Sequence, residues 1–182
     1  MSQAYRGPVR LVIFDVDGVL TDGSLHMGAD GEVYKTFSAR DGVAFALLRA
    51  HGMFSAIISG KSSKALDYRG QELRIDRVVT GCLDKFKAYN ELKRELGLED
   101  EQVVFVGDDV IDLPVMRLVG SSYAPNDAHP LALQSATYVT RAFGGRGVAR
   151  EVVEHVLLLG GIGLEQAHHR LLAAEEALHV QQ

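Results

Sequence analysis

Short apolar, β-branched runs alternate along the chain with longer stretches of helical spacing, the pattern left by a parallel sheet covered by helices on both faces. Val9 to Phe14 reads as the first buried strand. After an acidic turn, Ser24 to Ser38 reads as a β-hairpin flap turning at Gly28-Ala29-Asp30-Gly31. Asp41-Gly42 opens a helix with apolar positions at Val43, Phe45, Leu47 and Leu48, and Gly52 ends it. Met53 to Ile58 is the next strand, which completes a β-α-β unit. Ser62 to Leu73 is helical, Arg77 to Thr80 a short strand, and Asp84 to Leu96 a helix stopped by Gly97. Val103 to Val106 is a further buried strand. Val110 to Val119, Ala128 to Ala136 and Gly147 to Leu159 read as helices, with strands at Ser122 to Ala124 and Tyr138 to Thr140 between them. The expected class is α/β, a Rossmann-like parallel sheet with a β-hairpin inserted after the first strand. Residues 1–160 make the one domain. Gly160-Gly161-Ile162-Gly163 breaks the pattern, and 161–182 is a C-terminal helix, amphipathic over Leu164 to Leu178, or a mobile tail.

Composition narrows the function. A chain of 182 residues with 47% hydrophobic content fits one domain whose core needs neither disulfides nor a structural metal. A net charge of -5 offers no basic face to displace the counterions of a nucleic acid. The lone Cys82 excludes an internal disulfide framework, suits a reducing compartment, and reads as a small buried hydrophobe. Met1 to Arg10 lacks an apolar signal region. No apolar run reaches the roughly 18 residues of a membrane span, because Asp15 and Asp17 interrupt the first candidate. A soluble cytoplasmic protein without nucleic-acid or membrane partners is expected.

In an open parallel sheet the working groups collect beyond the carboxyl ends of the strands, and four strand ends here carry complementary polar residues. The first ends in Asp15-Val16-Asp17-Gly18, two carboxylates two residues apart on extended chain and pointing to one side. Ile58-Ser59-Gly60 supplies a hydroxyl and a permissive backbone for a phosphate oxygen. Lys85 opens the helix after Gly81-Cys82-Leu83-Asp84 and brings an ammonium. Val106-Gly107-Asp108-Asp109-Val110-Ile111-Asp112 ends an apolar strand with three acids, an oxygen-rich set that suits a hard cation such as Mg²⁺.

These four elements, in this order, resemble the haloacid dehalogenase superfamily. The extended form Phe14-Asp15-Val16-Asp17-Gly18-Val19-Leu20-Thr21-Asp22-Gly23 is its most specific part. The resemblance implies that Asp15 is the nucleophile and Asp17 the general acid and base, with Ser59 and Lys85 completing the catalytic set. It further implies that Asp15, Asp108 and the backbone carbonyl of Asp17 hold Mg²⁺, supported by Asp109 or Asp112. The chemistry is coherent, because a carboxylate attacks a phosphate monoester only when cations neutralise the charge between them, and the leaving alkoxide needs a proton. The intervals from Asp17 to Ser59 and from Ser59 to Lys85 are too short for a large cap domain.

A narrower resemblance lies in Phe37-Ser38-Ala39-Arg40-Asp41-Gly42, Ile57-Ile58-Ser59-Gly60-Lys61, Asp112-Leu113-Pro114-Val115-Met116, Asn126-Asp127-Ala128-His129-Pro130 and Gly144-Gly145-Arg146-Gly147. Together they look like the 3-deoxy-D-manno-octulosonate 8-phosphate phosphatases, cytoplasmic enzymes of lipopolysaccharide sugar synthesis. The resemblance implies a sugar phosphate substrate contacted by Arg69, Lys61 and Gly60. It also implies a homotetramer built on the hairpin, in which a neighbour closes each active site. Gly144-Gly145-Arg146-Gly147 either binds an anion at the following helix N-terminus or is a flexible connection. His129 reads as a helix-start residue, and the adjacent His168-His169 pair does not share a helix face as metal ligands would. Two departures stand out: Lys61 replaces the family's usual arginine, and the stretch from Gly160 to Gln182 is unlike the family's short tail. Hydrolysis of another nonulosonate or hexose phosphate is the related alternative. A phosphate-accepting receiver module is disfavoured because the third strand ends Val79-Thr80-Gly81 without an aspartate, and a silent scaffold because every expected catalytic residue type is present.

Overall fold

The computed structural model describes residues 7–179. Strand β1 (Leu11–Phe14) leads into a hairpin of β2 (His26–Gly28) and β3 (Gly31–Tyr34), followed by α1 (Ala39–Ala50), β4 (Phe54–Ile58), α2 (Lys64–Glu72), β5 (Arg77–Val79) and α3 (Lys85–Leu96). The second half runs β6 (Val103–Val106), α4 (Leu113–Met116), β7 (Ser121–Ala124), α5 (Pro130–Ser135), β8 (Tyr138–Val139), α6 (Val148–Leu159) and α7 (Leu164–His179). Six strands form one parallel sheet in the order β5-β4-β1-β6-β7-β8, and β2-β3 is a separate antiparallel pair. No large cap domain occurs among the described residues.

Alternation along β1 divides the interior into two layers. Val12 and Phe14 pack with Phe45, Leu48, Leu66, Val152 and Val156, beneath α1, α2 and α6. Leu11 and Ile13 face the opposite way, toward Tyr89, Leu92, Val115 and Ala132 of α3, α4 and α5. With both faces covered, all four residues of β1 are buried, which is why the strand reads as a continuous apolar run. The chain moves from β1 outward to β4 and β5, then back across to β6. This reversal places the carboxyl ends of β1, β4 and β6 side by side, with Phe14 opposite Ile57 on one flank and Val106 on the other.

The stretch expected as one helix from Val110 to Val119 is a 3₁₀ turn at Val110–Asp112 followed by the four residues of α4. The Asp112 side chain folds back to accept from the amides of Asp108 and Asp109, and Pro114 supplies no N–H, so the segment tightens and restarts. The N-terminus of α6 does hold an anion, but the chain's own. The buried Asp41 carboxylate of α1 accepts from Gly147 N at 3.0 Å and Arg150 N at 3.1 Å. His129 is the cap of α5, its ring nitrogen accepting from Leu131 N. Cys82 is half-buried rather than enclosed, its thiol donating to the Asp84 carbonyl.

The break at Gly160 to Gly163 is followed by a helix that folds back onto the domain. Ala167 and Leu171 of α7 enter the first core layer. Arg170 Nε donates to the Ala50 carbonyl, and His168 lies between Glu154 and Arg150 of α6, each at 2.9 Å. His168 is therefore engaged with a carboxylate and a guanidinium. Among the described residues, no helix is long and apolar enough to cross a membrane.

Candidate active site

After β1 the backbone closes at once into a compact turn, with the amides of Val19, Leu20 and Thr21 all donating to the Val16 carbonyl. The turn keeps Asp15 at the mouth of the sheet, its own amide bonded to Val106 O at 2.9 Å. Gly18, at φ +94°, can take this path because it lacks a side chain. A Cβ there would lie 2.1 Å from Asp108 Oδ2. Gly144 seals the turn from behind, where a Cβ would meet the Gly18 carbonyl oxygen at 2.2 Å. The Gly144-Gly145 pair is thus a close-packed backbone contact.

The centre of the site is the ammonium of Lys85. It lies 2.8 Å from Asp15 Oδ1 and 2.7 Å from Asp112 Oδ1, and all three side chains are buried. Helix α3 presents it from the first turn, whose cap Asp84 accepts from Lys87 N. Asp112 spends its other oxygen on the amides of Asp108 at 3.0 Å and Asp109 at 3.2 Å, so one carboxylate fixes both the lysine and the loop carrying Asp108. Asp109, by contrast, is exposed and caps the 3₁₀ turn through Val110 N. Of the two acids expected in support, Asp112 is the one at the centre.

Carboxylate oxygens of Asp15, Asp108 and Asp112 lie within 4.8 Å of one another. Three acids face one ammonium, so full ionisation leaves two negative charges to be balanced. Burial, only partly offset by Lys85 and reinforced by Asp112, pushes the Asp15 carboxyl up to about 6. Burial together with repulsion from Asp15 and Asp112 pushes Asp108 up to about 8. Burial alone would lower Lys85, but Asp15 and Asp112 outweigh it and hold the ammonium above its ordinary range. Asp108 Oδ1 is buried without a hydrogen-bond partner. A buried carboxyl oxygen without a partner, beside a second carboxyl group, suits a divalent cation with oxygen ligands, and both oxygens of Asp112 are already engaged. The residues therefore fit a divalent cation held chiefly by Asp15 and Asp108.

The other expected residues are distributed around this centre. Asp17 is two residues on from Asp15 but outside the carboxylate cluster. It pairs with Lys35 at 2.5 Å, and Lys61 stands 4.0 Å from its other oxygen, half exposed at the rim. Ser59 is buried at the end of β4, its amide bonded to Val79 O and its hydroxyl accepting from Lys61 N at 3.3 Å. Gly60 follows, against the Leu83 side chain. Arg69, on α2, pairs with Glu72 at 2.6 Å and reaches the Ser38 carbonyl at 3.4 Å. These contacts turn it toward α1 and the hairpin's return rather than toward Asp15. Lys35 and Glu32 are the site residues that sequence patterning does not single out. The signal is slight: a charged pair three apart, one member inside and one just beyond a strand whose other side chains are Val33 and Tyr34.

The chain resembles known proteins over much of its length. Residues 62–152 match the family model of haloacid dehalogenase-like hydrolases. A 3-deoxy-D-manno-octulosonate 8-phosphate phosphatase of Yersinia pestis is 48% identical over 150 residues, 82% of this chain and 80% of its own length. A deoxy-D-mannose-octulosonate 8-phosphate phosphatase of Haemophilus influenzae, solved in a cobalt-bound form, superposes with a TM-score of 0.82 at 37% identity, covering 85% of this chain and 90% of that one. The Moraxella catarrhalis 3-deoxy-D-manno-octulosonate 8-phosphate phosphatase, solved with magnesium, phosphate and KDO, gives 0.80 at 33% identity over 84% and 87%.

The raised carboxyls make cation binding pH-dependent with a definite sign. Folded-state values above the ordinary 3.8 mean that, without metal, the stability these groups contribute is full below about pH 4 and is lost as pH rises through about 6 and 8. A cation must displace those protons, so it binds better as pH rises. The Mg²⁺-induced rise in melting temperature is expected to be larger at about pH 8 than at about pH 5.5, and to vanish in Asp108→Asn. An equal rise at both pH values would contradict the assignment.

Proposed function

Because the chain belongs to the haloacid dehalogenase-like hydrolases, in the family of the 3-deoxy-D-manno-octulosonate 8-phosphate phosphatases, we propose that it hydrolyses 3-deoxy-D-manno-octulosonate 8-phosphate to the free sugar and phosphate through an aspartyl-phosphate on Asp15. The observation that carries the reading is the unpartnered Asp108 oxygen beside Asp15, with Lys85 bonded to Asp15 from the other side. Asp15 and Asp108 would hold Mg²⁺ with the Asp17 carbonyl, and Asp112 orients the set. When bound, Mg²⁺ supplies positive charge against the phosphoryl oxygens and lowers their repulsion of the attacking carboxylate.

The protein's own groups account for the rest. Asp15 attacks phosphorus, and Lys85 beside it stabilises the negative charge that gathers on the transferring group. Ser59 and the backbone at Gly60 bind a phosphoryl oxygen. Asp17 carries a proton to the departing sugar oxygen and then takes one from the water that opens the aspartyl-phosphate, which divides one hard displacement into two easier ones. Lys61 at the rim and Arg69 bind the anionic sugar. The reading places the enzyme in the cytoplasm, in lipopolysaccharide precursor synthesis, as a homotetramer in which a neighbour covers the open site. Leu25, Met27, Val33 and Tyr34, exposed on the hairpin of the single chain, support that assembly.

Phosphate release with Mg²⁺ from a panel of sugar phosphates tests the substrate. Strong preference for 3-deoxy-D-manno-octulosonate 8-phosphate is expected. Preference for a sialic-acid-like 9-phosphate or a hexose phosphate would keep the chemistry and overturn the substrate, and no turnover of any phosphate would overturn the enzyme reading. Sedimentation is expected to give a tetramer at micromolar concentration, and a monomer would contradict closure of the site by a neighbour.

A further inference from the structure

The hairpin inverts the usual rule of burial. Val33 and Tyr34 of β3 are exposed, while the Lys35 side chain just beyond them is 1% exposed. A lysine is almost never enclosed to this degree unless it is paired, and this one is paired twice. Its ammonium lies 2.5 Å from Asp17 Oδ1 and 2.9 Å from Glu32 Oε2. Burial alone would lower its pKa, but Asp17 and Glu32 outweigh that and keep it charged. The chain of contacts continues, because Glu32 Oε1 also accepts from the hydroxyl of Ser63 at 2.8 Å. Ser63 directly precedes α2, four residues after Ser59, and its hydroxyl is spent on Glu32 rather than on the helix amides. One continuous polar strap therefore runs from Asp17 through Lys35 and Glu32 to the loop that follows β4.

We propose that Lys35 is a positioning residue for the reaction, holding the Asp17 carboxylate turned toward the hairpin and the leaving oxygen rather than back toward Asp15, with Glu32 and Ser63 anchoring the lysine. This rests on the phosphatase reading above. Asp17 follows Asp15 by two residues, but β1 ends at Phe14 and the backbone turns at Val16, so strand alternation does not aim its side chain. Without a fixed counter-charge, nothing in the turn Val16–Thr21 sets the Asp17 rotamer. Lys35 supplies that constraint from a separate element, so the geometry of proton transfer is set by where the hairpin docks.

A positioning role separates from a merely structural one by the leaving group. A sugar alkoxide must be protonated as it departs, whereas p-nitrophenolate leaves without help. Lys35→Met keeps the buried stem and removes the ammonium. It is expected to lower kcat/KM for the preferred sugar phosphate about 10²-fold and for p-nitrophenyl phosphate less than about 3-fold. Glu32→Gln leaves Lys35 in place and loosens its anchor. It is expected to give a smaller loss with the same bias, which keeps the test readable if Lys35→Met folds poorly. Equal losses on both substrates, or none on the sugar phosphate, would overturn the role. Wild-type protein inert on every phosphate would overturn the phosphatase reading itself and Lys35's role with it.

Discussion

A lysine ammonium enclosed between two carboxylates is the constraint on which the site depends. Lys85 could not remain buried and charged without Asp15 and Asp112, and taking one partner from such a set costs on the order of 3–5 kcal/mol, because it strands the charge that is left. The pairing also has geometric consequences. Asp112 must be fully buried to reach the lysine, and its second oxygen then captures the amides of Asp108 and Asp109. That capture breaks the helix expected from Val110 onward and aims Asp108 at Asp15 across Gly18. The sheet provides the frame, since β1, β4 and β6 end side by side, and α3 drives the lysine in from the flank.

Charge explains why such a cluster persists. Three carboxylates around one ammonium are too many acids for a stable metal-free centre, and the protein responds by raising Asp15 and Asp108 rather than by adding a second lysine there. A site tuned only for stability would replace one acid with an apolar residue. Retaining the excess negative charge makes sense where a divalent cation completes the balance. The second lysine is instead at Asp17, on the hairpin; in the proposed mechanism this divides the work between a metal and phosphoryl side and a proton-transfer side.

Much of this was legible in the sequence because the information is local. Buried parallel strands leave apolar runs; Asp15 and Ser59 directly follow a strand, Lys85 opens a helix, and Asp108 stands one glycine beyond β6. What was not legible depends on partners far away in sequence. Lys35 reads locally as a surface lysine on a flap, and only docking of the hairpin against Asp17 buries it. Asp41 reads as a helix-opening acid, yet its carboxylate closes the N-terminus of α6 more than a hundred residues on. Apolar spacing over Val110 to Val119 is helical, but Asp112 and Pro114 decide the backbone. Leu164 to Leu178 carries a helical pattern either way, and it is the fit of Ala167, His168, Leu171 and Arg170 against α1 and α6 that docks it.

Every role proposed for the site depends on Asp15 carrying the phosphoryl group. Rapid acid quench of the Mg²⁺-loaded enzyme during turnover of a ³²P-labelled sugar phosphate, followed by borohydride reduction and peptide mass spectrometry, tests it directly. Acid-stable, hydroxylamine-labile label is expected in the first milliseconds, with Asp15 reduced to homoserine. Full turnover with no labelled protein, or label on any other residue, would contradict it.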